Sequence, residues 1–521
     1  MKNRTLQRDI PLLVLSLVLI ASIAAACGRR EAPGGTASGD AQALIIPFSS
    51  TPTNLDVRIG NDNASGRIYD LIYSGLVRLT PESDYAPDVA ERWETPDDRT
   101  IIFHLNRNAR FHNGQPVTSA DVKFTYDSLM DEAFDSPKKA GYDAVDRIEA
   151  PDPHTVVFRL KEPNGGLFAN LTLGILPRGA DPEVYRSKPI GAGPYRVVEF
   201  RPDDRLVMEA FDDWHLGKPK VRRVIARIIP DATTRVLELR KGSVNFEINA
   251  IPNDSIPQFE QSNEFKVVRE PGAIYQYLAF NLHDPILRNR TVRQAIAHAI
   301  DRERIVRDLQ RGYGVVTETM LPESHWAHAS GLPSYSHDPE RAKMLLDQAG
   351  HRDPDGDGPR SRFKLSFKTS TDAEANQRAQ MIQQMLNQVG IEVEINSSEF
   401  GTFYEEIQQG RFQLFSLSRA GVVDPDFYHV IFHSSSVPPE GQNRGYYRNP
   451  RVDELIVQGR STFDREKRRE SYAELQRILA EDLPYISLYN QINVAVMRFN
   501  VDGFRMDPWG FLLSVPQIRI E

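Results

Sequence analysis

The sequence predicts an α/β protein of two or three domains, built as open lobes that meet through short connections. Three observations carry this. The chain alternates between helical and strand periodicity, often with a single glycine at the change. Behind an N-terminal leader stand 495 of the 521 residues, too many for one hydrophobic core. Apart from the Gly/Ala/Ser-rich stretch 28–39, no linker-like or low-complexity block interrupts the chain, which calls for a hinge rather than a string of beads.

The elements follow in order. Lys2, Arg4 and Arg8 precede an apolar run over 11–23 and the triplet Ala24-Ala25-Ala26. This reads as a secretory signal peptide over 1–26, too short for a membrane span. Cys27, the only cysteine, follows at once and resembles the lipobox of bacterial lipoproteins, with Ala24 where leucine is usual. That resemblance implies acylation at Cys27; a plain signal peptide with a stray cysteine is the alternative. Residues 27–42 read as a flexible tether, so the body is expected to be soluble and held at a membrane surface. The formal charge is −8, and −10 once Lys2, Arg4, Arg8 and Asp9 are removed, which argues against a nucleic-acid partner. With no second cysteine, intramolecular disulfides are excluded, and stability must come from burial and hydrogen bonding.

Strands are predicted at 43–48, 100–105, 155–160, 196–200, 391–395, 412–417 and 485–489. Thr118 and Asp121 form a capping box for a helix carrying Val122, Phe124, Thr125 and Leu129. Thr291 is expected to cap a helix with Val292, Ala295, Ile296, Ala299 and Ile300 on one face. Asp338-Pro339 opens another that Gly350 stops, and helices are predicted over 373–389 and 464–480.

Five segments carry a family resemblance: "APDVAERWETPDDRTIIFHLNRNARFHNGQPVTSADVKFTYDSL" (86–129), "PIGAGPYRVVEF" (189–200), "YLAFNLHDPILRNRTVRQAIAHAIDRERIV" (277–306), "DPERAKMLLDQAG" (338–350) and "YAELQRILAEDLPYISLY" (472–489). In this order they resemble the extracellular solute-binding family 5, the peptide- and nickel-type binding proteins of ABC importers, over nearly all of the mature chain. The resemblance implies a two-lobe periplasmic-binding-protein fold with a hinge, of the large three-domain peptide-binding type. It puts lobe I at 42–60, 186–272 and 490–521, an inserted domain at 61–185 and lobe II at 273–489. The signature 86–129 itself reads as structural: Trp93, Phe103, Phe111 and Phe124 are core aromatics and Asn113-Gly114 is a turn.

A ligand held by closure touches both lobes, and strand ends and turns at the lobe edges are the natural place for it. Three stretches fit. Ser49-Ser50-Thr51 follows the first strand, and Ser50 and Thr51 are ligand candidates, with a capped strand end as the alternative. Tyr275 and Tyr277 stand at the crossover into lobe II, where peptide-binding relatives use a tyrosine; a packed hinge tyrosine is the alternative. The loop "LSRAGVVDPDFY" supplies Arg419, Asp424 and Asp426. In peptide-binding relatives this loop carries an acid that holds the peptide's α-amino group. Anchoring on Asp424-Pro425 puts Gly421 at that acid's place; anchoring on Arg419-Ala420-Gly421 puts Asp424 near it, with Arg419 free to hold a carboxylate. A solvated loop with an internal Arg–Asp pair stands beside both.

Other signals point nowhere specific. "DPDGDG" (353–358) starts like a calcium loop, but the twelfth position is Lys364 rather than glutamate. His429 and His433 are one helical turn apart without a third ligand. No nucleophile elbow, P-loop or dinucleotide fingerprint is present, so no catalytic residue, metal or cofactor is expected.

The expected protein is therefore not an enzyme. It is a monomeric lipid-anchored binding protein of the periplasm or cell surface that captures short peptides and hands them to an ABC permease and its ATPase subunits. A binding protein for an oligosaccharide, an opine or a metal chelate is the nearest alternative. A secreted lipoprotein hydrolase and a chaperone-like lipoprotein are alternatives of other classes.

Overall fold

A computed structural model describes residues 42–521 apart from 357 and 440. Residues 1–41, on which the expected signal peptide, Cys27 and most of the expected tether fall, lie outside the described residues, as does Asp357 of the DPDGDG stretch. No helix among the described residues is long and apolar enough to cross a membrane.

The first strand, Leu44–Phe48, is almost wholly apolar because it is buried in the middle of the first body. It pairs in parallel with Arg223–Ile228, which continues antiparallel into Arg205–Ala210 and Tyr195–Arg201. The glycine turn before Tyr195 is steric in origin: a Cβ on Gly193 would lie 2.6 Å from the Ile72 carbonyl carbon.

Ala90–Asp97, Thr100–Leu105, Thr155–Leu160 and Val145–Asp152 form a four-stranded antiparallel sheet. Helix Ser119–Met130 lies on it, opened by Asp121, whose carboxylate accepts from Thr118 N at 2.9 Å. Phe103, Phe111, Tyr126 and Phe158 fill the core beneath. Of the four aromatics expected to be core, Phe103 and Phe111 are buried, while Trp93 and Phe124 are partly buried and pack against the edges of two clusters.

The element that organises the molecule is a pair of long antiparallel strands, Phe265–Phe280 and Tyr485–Arg498. Their first halves, Phe265–Pro271 against Ile492–Arg498, lie with the first body and take Phe246–Ile248 as an edge. Their second halves lie with the second body, joined by Leu414–Arg419, Phe363–Ser370 and Ile391–Ser398. The pairing register shifts between Pro271 and Tyr275. Pro271 cannot donate to the ladder, and Gly272 admits a close approach, since a Cβ there would fall 2.6 Å from Asn493 Oδ1.

The predicted strand at 485–489 continues to Arg498 because Ile492, Val494 and Val496 keep facing an apolar cluster after the polar Asn490 and Gln491. The helix expected to be capped by Thr291 starts one residue earlier, at Arg290. Its cap is Asn289, whose side chain accepts from Thr291 N, because the extended backbone needed for a cap falls at that asparagine. Helix Pro339–Gln348 opens on Asp338 as expected.

Candidate functional site

Helix Asn63–Ile72 positions one wall of the site. Asp62 caps it by accepting from Ser65 N at 2.9 Å. Ala64, Ile68, Leu71 and Ile72 bury one face in the cluster around Leu44–Phe48. That leaves Asn63, Gly66, Arg67 and Asp70, at helical spacing, on the wall of a cavity of about 800 Å³. Tyr142 and Asn170 close it from the region of the antiparallel sheet, and Trp214, Phe511 and Leu513 from the first body.

The chemistry of this wall is a set of desolvated charges. The Arg67 guanidinium lies over the Phe48 ring at 4.6 Å, and its Nε and Nη2 find no hydrogen-bond partner among the described residues. Glu247 faces it from the edge strand, fully buried, with neither oxygen hydrogen-bonded. Burial pushes the Glu247 carboxyl up to about 8, and the Arg67 charge only partly opposes this. Burial likewise pushes Asp70 up to about 7, against the Leu512 amide that donates to it at 3.2 Å. Asp507 is pushed up to about 6 by burial. Its Oδ1 accepts from Trp509 N and Phe511 N, both at 3.0 Å, while its Oδ2 and the Trp509 Nε1 are unmatched. Lys138, also on the cavity lining, donates to the Val57 carbonyl and lies 5.1 Å over the ring of Tyr69 from the same helix; burial lowers it to about 8.

A pH dependence follows for Glu247. The unfolded chain ionises this group near 4.5, whereas the fold keeps it protonated to about 8. Between those values the unfolded state binds fewer protons, so this group makes stability fall as pH rises from about 4.5 to about 8. Glu247→Gln should flatten the fall, its gain over the wild type growing from pH 5 to pH 8 in chemical denaturation. Parallel curves for the two proteins would mean that Glu247 is ionised in the fold.

The loop after strand Leu414–Arg419 lies against the same first-body segment. A Cβ on Gly421 would overlap the Ala273 Cβ and come within 2.7 Å of Trp509 Cδ1. Arg419 donates to Gln442 Oε1 at 2.6 Å and stacks 4.7 Å over Phe427, and no carboxylate pairs with it among the described residues. Asp424 is buried. It pairs with Arg468 at 2.5 Å, accepts from Asp426 N at 2.8 Å, and meets the Tyr85 hydroxyl at 3.4 Å. The expected solvated pair within the loop does not form: Asp424 is buried and pairs with an arginine of helix Arg465–Asp482, outside the loop, while Arg419 turns to Gln442 and Phe427. Asp426 stands 3.5 Å from Arg460, and burial raises its carboxyl to about 6 against that charge.

Neighbouring contacts join the loop's surroundings to the region of the antiparallel sheet. Gly165 N donates to the Arg460 carbonyl at 2.7 Å, Phe168 packs on Phe463 with centroids 5.9 Å apart, and Arg465 pairs with Asp84.

The remaining candidates lie elsewhere. Tyr275 and Tyr277 are buried in the second body. Tyr275 shares a hydrogen bond of 2.8 Å with Ser487, and Tyr277 stacks between Tyr275 and Tyr485 at 5.5 and 4.6 Å. Tyr275 borders a cavity of only about 30 Å³ beside Thr319 and Tyr428. Ser50 is exposed. Thr51 donates to Asp203 Oδ1 at 2.7 Å and accepts from Asp203 N at 2.9 Å, tying the strand end to a turn. None of the seven candidates borders the 800 Å³ cavity. Arg67 and Asp70, which border the cavity, and Glu247 and Asp507, which act on them from behind its lining, were not legible as site residues. The available signals were the polar row Asn63, Gly66, Arg67, Asp70 on an otherwise apolar helix and the turn Asp507-Pro508-Trp509-Gly510.

Residues 84–438 match the family described as bacterial extracellular solute-binding proteins, family 5 middle. The oligopeptide-binding protein AppA of Bacillus subtilis is 28% identical over 533 residues, covering 96% of this chain and 97% of its own length. The structure of that protein with a nonapeptide superposes with a TM-score of 0.74, at 26% identity, over 92% of this chain and 99% of that one. NikZ from Campylobacter jejuni, solved with Ni(L-His), gives 0.75 at 25% identity over 92% of this chain and 99% of that one. AgaA from A. tumefaciens R10, solved with agropinic acid, gives 0.73 at 25% identity with the same two coverages.

Proposed function

The chain belongs to the bacterial extracellular solute-binding proteins of family 5, and from that premise we propose that it is the ligand-capturing component of an ABC importer for short peptides. The observation that carries this is the full-length likeness to an oligopeptide-binding protein, joined to two bodies that share one long pair of strands. Such strands let the bodies close on a solute while the chemistry of the solute stays unchanged. The family consists of transport components rather than enzymes.

In this reading lobe I is 42–60, 186–272 and 490–521, the inserted domain 61–185 and lobe II 273–489. Cys27 carries a lipid that keeps a monomer at the outer face of a membrane, where it meets the permease and its ATPases. Arg419 and the strand end at Ser50-Thr51 offer polar groups to the ligand. Tyr275 and Tyr277 back the second body, and Asp424 and Asp426 act by holding their loop in shape.

A second reading, a non-peptide solute, is favoured by Gly421 and by the pairing of Asp424 with Arg468. Neither residue offers a free carboxylate to a peptide's ammonium group. Calorimetry against a peptide library and against oligosaccharides, opines and nickel chelates separates the two. Peptide binding accompanied by contraction in small-angle scattering is the expected result. A sugar or chelate that stabilises the protein where no peptide does would remove the word peptide.

A further inference from the structure

The charges around the cavity are unevenly committed. Asp88, which borders the cavity, is held by His215 at 2.8 Å, and outside the cavity Asp424 is held by Arg468 and Asp84 by Arg465. Of the cations that border the cavity, Arg67, Arg78 and Lys138, none forms an ion pair within 4 Å of a carboxylate among the described residues, although Glu247 and Asp70 act on Arg67, and Asp56 and Asp62 on Lys138, from farther away. Arg67 is also positioned by something other than charge. Its guanidinium is laid on Phe48, and two of its nitrogens are left without an acceptor. A planar fork held by an aromatic face and lacking its acceptor matches a carboxylate, and unmatched donors favour an incoming one. The two carboxyls that act on Arg67, Glu247 and Asp70, lie beyond ion-pair distance of it, and burial pushes both upward, which weakens them as counter-charges near neutral pH. Beside Arg67, Gly66 has no atom within 4 Å of the position of a Cβ, so the wall is open there.

We propose that the cavity along helix Asn63–Ile72 receives a carboxylate-bearing solute whose acid group is bound by Arg67, with Lys138, which lies over Tyr69 of the same helix and also borders the cavity, adding positive potential. Recognition is then anchored on the ligand's acid end, in the first body, instead of on an ammonium group held by the loop at 421–424. This rests on the reading as a solute-binding protein and assigns the chemical class of its ligand.

The test uses the full chain and calorimetry with trialanine, trialanine C-terminal amide, N-acetyl-trialanine, succinate and maltotriose. At least one carboxylate-bearing probe should bind. For the peptides, N-acetylation should be tolerated and amidation should weaken binding at least about tenfold. Arg67→Gln should remove that difference and weaken every carboxylate probe by about the same factor, with Arg67→Lys in between. Thermal unfolding of the unliganded variants controls for folding; should Arg67→Gln not fold, the acid-to-amide ratio measured on Arg67→Lys serves instead. The proposal is overturned if the amide binds as well as the acid, if Arg67→Gln leaves carboxylate affinity unchanged, or if no carboxylate probe binds. Maltotriose binding alone, with contraction in scattering, would overturn this inference and leave the binding-protein reading standing. Failure of every probe would count against both.

Discussion

Asp424→Ala is expected to destabilise the protein by about 3–5 kcal/mol, the range for breaking a buried ion pair from one side. The carboxylate and the Arg468 guanidinium are both buried and 2.5 Å apart. Arg468 also donates to the Gly459 carbonyl at 3.1 Å and lies 5.3 Å over Trp326, so it stays inside when its partner is lost. The variant leaves an uncompensated charge there and frees the turn that Asp424 holds through Asp426 N. Asp424→Ala combined with Arg468→Met removes both charges and should recover part of the loss, which a double-mutant cycle by chemical denaturation measures. Arg419→Ala, by contrast, touches no buried charge and should stay within about 0.5 kcal/mol of the wild type. Should Asp424→Ala lose less than about 1 kcal/mol, the value of an exposed pair, the pair is solvated and Asp424 becomes available to a ligand.

Gly421→Asp, which writes in the acid that peptide-binding relatives place in this loop, is expected to weaken ligand binding rather than strengthen it. The first atom of any side chain would overlap Ala273 on the crossover strand and press on Trp509. Neither yields easily: Ala273 is fully buried, and Trp509 stacks on Phe511 with centroids 5.7 Å apart. Overpacking of this kind costs about 1–3 kcal/mol. If that falls on the closed arrangement alone, affinity drops by about 5–150-fold. Calorimetry with the probe that binds the wild type reads the loss, and small-angle scattering should show a more expanded liganded state. Adding Trp509→Ala should restore part of the affinity. Tighter peptide binding by Gly421→Asp would show that the space exists and that an aspartate there meets the ammonium group.

Much of the architecture was legible because it rests on local signals. Short apolar, β-branched runs marked Thr100–Leu105 and Thr155–Leu160, and the Thr118/Asp121 and Asp338-Pro339 starts marked two helices. The aromatic signature read as packing, and Phe103 and Phe111 are buried while Trp93 and Phe124 are partly so. Local signals failed where a contact distant in sequence decided the outcome. Thr291 and Asn289 are equally good caps by composition, and the backbone at 289 chose between them. Tyr485–Arg498 outran its predicted end because the partner strand Phe265–Phe280 continues alongside it as far as Arg498.

The site was less legible for the same reason. Its charges come from positions as far apart as 67, 247 and 507. Arg67 on a helix surface looks like any solvated arginine until Phe48 and Glu247 are brought to it. The loop 419–426 drew attention by its charges, yet nothing within it announces that Asp424 belongs to Arg468.

By itself, then, the sequence determined the class of protein: ordered family motifs, element periodicity and a length beyond one core all depend on residues near one another along the chain. Only the tertiary structure decided which charges are satisfied. Pairing and desolvation depend on distance and burial, and both arise when the two bodies and the inserted sheet are assembled. That assembly commits Asp424 to Arg468, closes the space at Gly421, and leaves Arg67 on the cavity wall without a partner among the described residues.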